Sequence, residues 1–172
     1  MRYEDYQPEI DEIISTLRKI EGRLNNTRPF LENFSSLCSQ FPGKRIPLKE
    51  SPDIHSFLTH PIGLPDIRKE AKKSGKTRVY LDIDQYLECK DEVLAEYLEL
   101  ALQTRGDALH GKPPDEILTD VTVPADGLTI VKIVGERILL QLRERDLLAA
   151  QAELLRRMDE IVNELYQVEP SE

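Results

Sequence analysis

Near the N-terminus the apolar positions recur with helical spacing. Ile10, Ile13, Leu17, Ile20 and Leu24 alternate steps of three and four, Leu31 and Phe34 continue the phase, and Ile14 widens the stripe. A heptad-like seam of this kind predicts an amphipathic helix that buries one face against another helix. Pro8 suits a first turn, and Glu9, Asp11 and Glu12 complement the positive end of a helix dipole. Gly22 and "NNTRP" predict a break or kink before Pro29. A second seam closes the chain: Leu147, Gln151, Leu154, Met158, Ile161 and Leu165, flanked by Leu148, Leu155 and Val162, with charges interleaved outside it. Two amphipathic terminal helices of similar length predict coiled-coil-like pairing, within one chain or between two.

The pattern changes between the seams. Residues 41–65 carry five of the eleven prolines and two glycines, which predicts a loop-rich connection reaching to about residue 76. "TRVYLDI", residues 77–83, has the β-branched and aromatic content of a short strand. A helix is expected from Asp84, as its cap, to Thr104, stopped by Gly111 and the Pro113-Pro114 pair. "LTIVKIVGERILLQL", residues 128–142, reads as a β-hairpin turning near Gly135 and Glu136. The expected fold is α+β and predominantly helical, with paired terminal helices and a small β-hairpin element. Its segments are an N-terminal helical stretch 1–40, a loop-rich basic connection 41–76, an α+β core 77–142 and a C-terminal helix 143–172, together one structural domain.

Charge narrows the partners. The net charge of −9 makes the overall field repel nucleic acid, whose binding rests on neutralising phosphate with Lys and Arg. Contact with DNA or RNA therefore needs a local patch. "DIRKEAKKSGKTR" offers Arg68, Lys69, Lys72, Lys73, Lys76 and Arg78 against Asp66 and Glu70. The same run also fits a solvated basic face. No apolar run reaches bilayer-spanning length, no secretory leader pattern is visible, and the two cysteines, Cys38 and Cys89, have unrelated spacing. A cytoplasmic protein with free thiols and no membrane partner is expected.

Phosphate-binding, dinucleotide, nucleophile-elbow and zinc motifs are missing, so no cofactor is expected. His55 and His60 lack companion ligands at metal spacing and read as loop histidines. A Pro-Asp…Glu-x-Lys nuclease pattern can be drawn from Pro65-Asp66 and Glu88-Cys89-Lys90, with Asp82 and Asp84 between, or from Pro52-Asp53 with Glu70-Ala71-Lys72. That chemistry needs its Glu-x-Lys on a buried strand, whereas "YLECKDE" reads as helical and solvated. No metal site is expected.

Two resemblances carry further implications. "RGDALHG", Arg105 to Gly111, resembles the Arg-x4-His signature of HEPN-type ribonucleases. It implies metal-independent RNA cleavage of the toxin type. His110 would move the 2′-hydroxyl proton and Arg105 would stabilise phosphorane charge, in a site built across a dimer. The plain structural reading stands beside it, with Arg105 capping the negative end of the preceding helix and His110 in the turn that ends it. "LLRRMDEIVNELYQVEPSE" is similar to the closing helix of type II restriction–modification enzymes with a fused adenine methyltransferase, through Asp159, Val162, Leu165 and Tyr166. It implies a free-standing accessory module of a DNA restriction or defence system, with no catalytic residue transferred.

The leading expectation is a non-catalytic interaction or assembly module with a local nucleic-acid-facing patch. It would meet a protein partner or a second copy through the terminal helices, at Ile10, Ile13, Leu17, Ile20, Leu24, Leu147, Leu154, Met158, Ile161 and Leu165. The alternatives are the ribonuclease and a purely structural coiled-coil adaptor.

Overall fold

The computed structural model describes residues 3–168. The fold is mixed α and β and mostly helical. It forms two compact units, one built from the chain up to Glu32 together with the chain from Leu139 onward, the other from Asn33–Ile138.

The first unit is a helix pair. Helix α1 (Tyr3–Glu32) runs antiparallel to the C-terminal part of the last helix, α5 (Gly127–Val168). Near one end Tyr6 donates to Glu164 and Arg157 forks onto Glu9, Nε to Oε1 at 2.6 Å and Nη2 to Oε2 at 3.0 Å. Near the other, Arg28 meets Glu144 at 3.4 Å. Between them lie two apolar clusters. Tyr6, Ile10, Ile13 and Ile161 form one, with Leu17, Leu154, Met158 and Leu165 against it. Ile20, Leu24 and Leu147 form the other. Burying a large aliphatic side chain contributes about 1.5–3 kcal/mol, so this seam dominates the unit's stability. The charges along its edges, part-buried at most, add less.

Of the expected break or kink before Pro29, the break does not occur: α1 continues to Glu32. Pro29 removes one helical donor, a local loss that the buried seam outweighs. Nearby, the buried Thr27 hydroxyl donates to the Arg23 carbonyl at 2.8 Å. Asn33 then caps a short helix α2 (Phe34–Cys38) by accepting from Ser36 N.

The second unit is built on a four-stranded antiparallel sheet of order β2-β5-β4-β3. Its strands are β2 (Ile54–Ser56), β3 (Arg68–Ala71), β4 (Thr77–Tyr80) and β5 (Tyr86–Cys89). Two further strands, β1 (Arg45–Pro47) and β6 (Thr122–Pro124), pair antiparallel by themselves. Helix α3 (Glu92–Gln103) lies on one side of the larger sheet, touching β3, β4 and β5. It covers Val79, Leu87 and Cys89 with Leu94, Ala95 and Leu98, all buried. Helix α4 (Pro114–Asp120) leads into β6.

Three sequence expectations are corrected here. Residues 128–142 are not a hairpin but the start of α5. Ile130, Ile133, Val134 and Leu140 are buried at helical spacing, and the Asp126 side chain accepts from Leu128 N at 3.0 Å. β-Branched residues cost a helix only tenths of a kcal/mol each, so this periodicity overrides their strand preference. The helix expected from Asp84 begins at Glu92, capped by Asp91, whose carboxylate accepts from Leu94 N at 2.9 Å. Before it, Tyr86 to Cys89 alternate between half-buried and buried, the period of a strand. The connection at 41–76 also carries β1, β2 and β3.

Candidate functional site

Pleating divides the sheet's side chains by parity. One parity faces α3. The other gathers His55 and Phe57, Arg68 and Glu70, Arg78 and Tyr80, and Tyr86 and Glu88, set by the pairings Arg68↔Tyr80, Arg78↔Glu88, Tyr80↔Tyr86 and His55↔Glu88. Phe57 joins next to β2 through its N–H, which donates to the Tyr86 carbonyl at 2.9 Å.

The aromatic rings on this face form a continuous ladder. His55 lies 5.1 Å from Phe57, Phe57 stacks on Tyr86 at 4.8 Å, and Tyr86 lies 5.2 Å from Tyr80. Two guanidinium groups cover the tyrosines, Arg68 over Tyr80 and Arg78 over Tyr86, each 4.2 Å from the ring centroid. Cation–π contact of this kind fixes the plane of the arginine. Arg68 is further held by the Asp82 carbonyl at 2.9 Å, the Ile83 carbonyl at 3.1 Å and the Asp66 carboxylate at 3.0 Å. The buried Nε of Arg78 has no hydrogen bond and stands 4.0 Å from Glu88. Phe57 remains 41% exposed and His55 is exposed, so the ladder opens to solvent at the β2 edge. There it borders a groove of about 300 Å³ flanked by His55, Lys76, Glu88 and Lys90.

The basic run read as one patch is therefore divided. Arg68 and Arg78 share the ladder. Lys69 has the opposite parity and reaches α3, pairing with Glu96 at 2.6 Å and Glu92 at 3.4 Å, and the bond to Glu96 raises its pKa. Lys72 pairs with Glu70 at 2.7 Å and holds that carboxyl below its ordinary pKa, while Lys76 pairs with Glu88 at 3.4 Å. Lys73 is exposed in the β3–β4 turn.

The ladder stands on a buried polar anchor. Asp82, 2% exposed, lies in the tight β4–β5 connection. One carboxylate oxygen accepts from Asp84 N at 3.1 Å and Gln85 N at 2.8 Å; the other accepts from Gly63 N at 3.0 Å and Gln85 Nε2 at 2.8 Å. Burial pushes the Asp82 pKa up, but these four bonds prevail and bring it down to about 2. Gln85 completes the anchor by accepting from Thr59 N and His60 N at 2.9 and 3.1 Å. His60, Asp82 and Asp84 are close enough to suggest a cation site. The four bonds already engage the acceptor positions of Asp82, so the cluster serves as a loop clamp.

Glu88 and Cys89 of the Glu88-Cys89-Lys90 triplet do lie on strand β5, with Lys90 just past its end, correcting the helical reading of that stretch. It still does not build the nuclease constellation. Glu88 sits at the β4–β5 end occupied by Arg78 and Thr77, whereas Asp66 bonds back to Leu81 and Asp82 lies in the connection beyond Tyr80. The carboxylates are at opposite ends of the strands.

Arg105 and His110 are also placed apart in role. α3 ends at Gln103 with Thr104 as its C-cap; Arg105 follows, and its Nη2 donates not to α3 but to the Asp120 carbonyl at the end of α4, 3.2 Å away. Arg105 lines two pockets, and His110, exposed after a short 3-10 turn, lines neither. The ten seam residues all fall in the two clusters of the helix pair. The ladder was missed in the sequence because its parity spans four strands; the local signal was the matching parity of Arg78 and Tyr80 with Tyr86 and Glu88. The chain matches no protein family, no curated protein and no solved structure.

Proposed function

We propose that this protein is a non-catalytic binding module for single-stranded nucleic acid that also contains a helix pair for assembly. One observation carries the reading: the aromatic ladder of Phe57, Tyr86 and Tyr80, interleaved with Arg68 and Arg78, on the sheet face away from α3. The exposed Phe57 ring, and the guanidinium planes that lie over the half-buried tyrosines, are surfaces on which unpaired bases stack, while the guanidinium edges bond phosphate. A duplex keeps its bases inside and offers this face little. Lys76 and Lys90, along the adjoining groove, extend the track for the backbone.

Carboxylates interleave with the cations, so stacking supplies most of the affinity. For about two phosphate contacts the salt slope is about −1.4 for a single strand. Fluorescence anisotropy with dodecamers of single-stranded RNA and DNA tests this, with a duplex as control. The expected result is a dissociation constant of about 10–100 µM for single strands, weakened in Phe57→Ala and Arg68→Gln and absent for duplex. Equal affinity for duplex, or none for either single strand, would overturn the reading.

The helix pair serves as a short antiparallel coiled coil closed within one chain, which the intrachain clusters support. Leu148, Leu155 and Val162 recur every seven residues, are 38%, 50% and 41% exposed, and give the pair a second stripe for a protein partner or another copy.

A further inference from the structure

A cleft away from the ladder has the makings of a small-molecule site. It opens among α2, β1, α3, β6 and the first turn of α5, and has a volume of about 420 Å³. That is within the ~300–1,000 Å³ typical of organic ligand sites. Phe34, Phe41, Ala101, Val121 and Pro124 give the lining apolar surface, and the Phe34 ring meets Tyr97 edge-on at 5.2 Å. Arg45, Arg105, Tyr97, Thr104 and Thr122 add polar groups to the same lining.

The charge balance of this cleft is the opposite of the chain's. The protein carries 32 Asp and Glu residues against 23 Lys and Arg, yet two arginines and no carboxylate line the cleft. Among the described residues neither arginine forms an ion pair with any acid; their partners are neutral. Arg45 donates through Nε to Thr122 Oγ1 at 2.9 Å and through Nη2 to the Thr122 carbonyl at 2.9 Å and the Tyr97 hydroxyl at 2.8 Å. The Arg105 side chain donates, among the described residues, to the Asp120 carbonyl at 3.2 Å. Three bonds fix Arg45 and one steadies Arg105; both residues are exposed, without an acidic partner among the described residues, and keep donors left over for a carboxylate or phosphate. Tyr97, 1% exposed, accepts from Arg45, which leaves its own proton to donate to Cys38 Sγ, 3.8 Å away, or to an occupant. Burial raises the tyrosine pKa to about 12, so the hydroxyl keeps that proton at neutral pH.

We infer that this cleft binds a small organic oxyanion, a carboxylate or phosphate monoester joined to a flat apolar body. The oxyanion sits between Arg45 and Arg105, and the apolar body lies against Phe34 and Phe41. A bare oxyanion would leave the apolar surface wet and bind more weakly.

Cys38 lines the same cleft and is half-buried, whereas Cys89 is 1% exposed with its thiol pushed up to about 12 by burial. Alkylation of Cys38 therefore reports occupancy. Burial also raises the Cys38 pKa, against the pull of Tyr97 and Arg45, so the measurement is made in mildly alkaline buffer. The full chain is treated with iodoacetamide and followed by mass spectrometry, alone and with inorganic phosphate, phenyl phosphate or benzoate. Calorimetry on the same solutions gives affinities. Phenyl phosphate, benzoate or both should bind with dissociation constants near or below about 1 mM and slow Cys38 alkylation about fivefold at saturation. Inorganic phosphate should bind at least about tenfold more weakly. Which aromatic probe is tighter identifies the oxyanion. Arg105→Gln should weaken binding about tenfold with thermal stability unchanged, because it loses one backbone contact and one charge-assisted bond to the probe. Arg45→Gln should weaken it further, and its circular dichroism shows whether β1 and β6 still pair. No protection by either aromatic probe at about ten times the expected constant, or equal protection in native and Arg105→Gln protein, overturns the inference.

Discussion

In the helix pair, Ile10, Ile13, Ile20 and Leu24 find Ile161, Leu154 and Leu147 across the seam, and each row covers the other. In the sheet, only the parity that carries Val79, Leu87 and Cys89 has a helix over it; the other is dressed with rings under guanidinium groups. Both units exclude water from apolar surface, by different chemistry. Aliphatic side chains interlock and leave no handle for a ligand. Aromatic and arginine side chains cover a layer while keeping flat, polarised surfaces within reach of solvent. The first arrangement makes a strut, and the second is the surface proposed above for recognition.

The sharpest way to break this contrast is to remove the anchor of the second unit. Asp82→Ala leaves the donors of Gly63, Asp84 and two of Gln85 without their acceptor in a buried loop. The expected cost is about 4 kcal/mol in urea denaturation, because each orphaned buried donor loses about 1–3 kcal/mol and relaxation recovers part of it. Oligonucleotide binding should vanish with it, whereas near-native stability would show the anchor is dispensable. The same carboxylate sets an acid limit. Its pKa is lowered from 3.8 to about 2 in the fold, so the native state binds fewer protons than the unfolded chain between those values. The stability that Asp82 contributes is complete above about pH 4 and is lost as pH falls toward 2. In Asp82→Asn that portion of the acid transition should flatten.

Ile161→Ala is the matching change in the helix pair. Ile161 is 0% exposed, so truncation should cost about 3 kcal/mol. The fraction still folded should bind single strands with native affinity. A parallel loss of affinity would show that the two units are not separable in function.

Phe57→Ala should act the other way round. The ring is 41% exposed, so stability should change by no more than about 1 kcal/mol. Affinity for single strands should fall about tenfold, as losing one base stack predicts. Leu155→Glu, on the exposed stripe of the helix pair, should leave stability within about 0.5 kcal/mol. Sedimentation velocity would reveal any change in assembly; loss of fold there would mean Leu155 belongs to the seam.

The residues of the seams and the helical majority of the fold were legible in the sequence, because a helix declares its buried face within a few turns of its own chain. Residues 128–142 show where that stops. Val131, Ile133 and Val134 suit a strand by composition, and burial of Ile130, Ile133, Val134 and Leu140 at helical spacing decided for α5. The stretch 84–90 failed in the opposite sense: its apolar residues fit a helical count, yet Tyr86 to Cys89 alternate under α3 as β5.

What the amino-acid order determined by itself is the pair of long amphipathic helices, since every contact that recommends them repeats locally along the chain. Only the tertiary structure decided what the basic run would do. It sent Arg68 and Arg78 to one face and Lys69 to the other, because the pleat of a four-stranded sheet assigns sides only once register is set. It also made Asp82 an anchor by bringing Gly63 to it from a distant loop. A carboxylate's role depends on which donors converge on it, and that convergence exists only after the chain has folded.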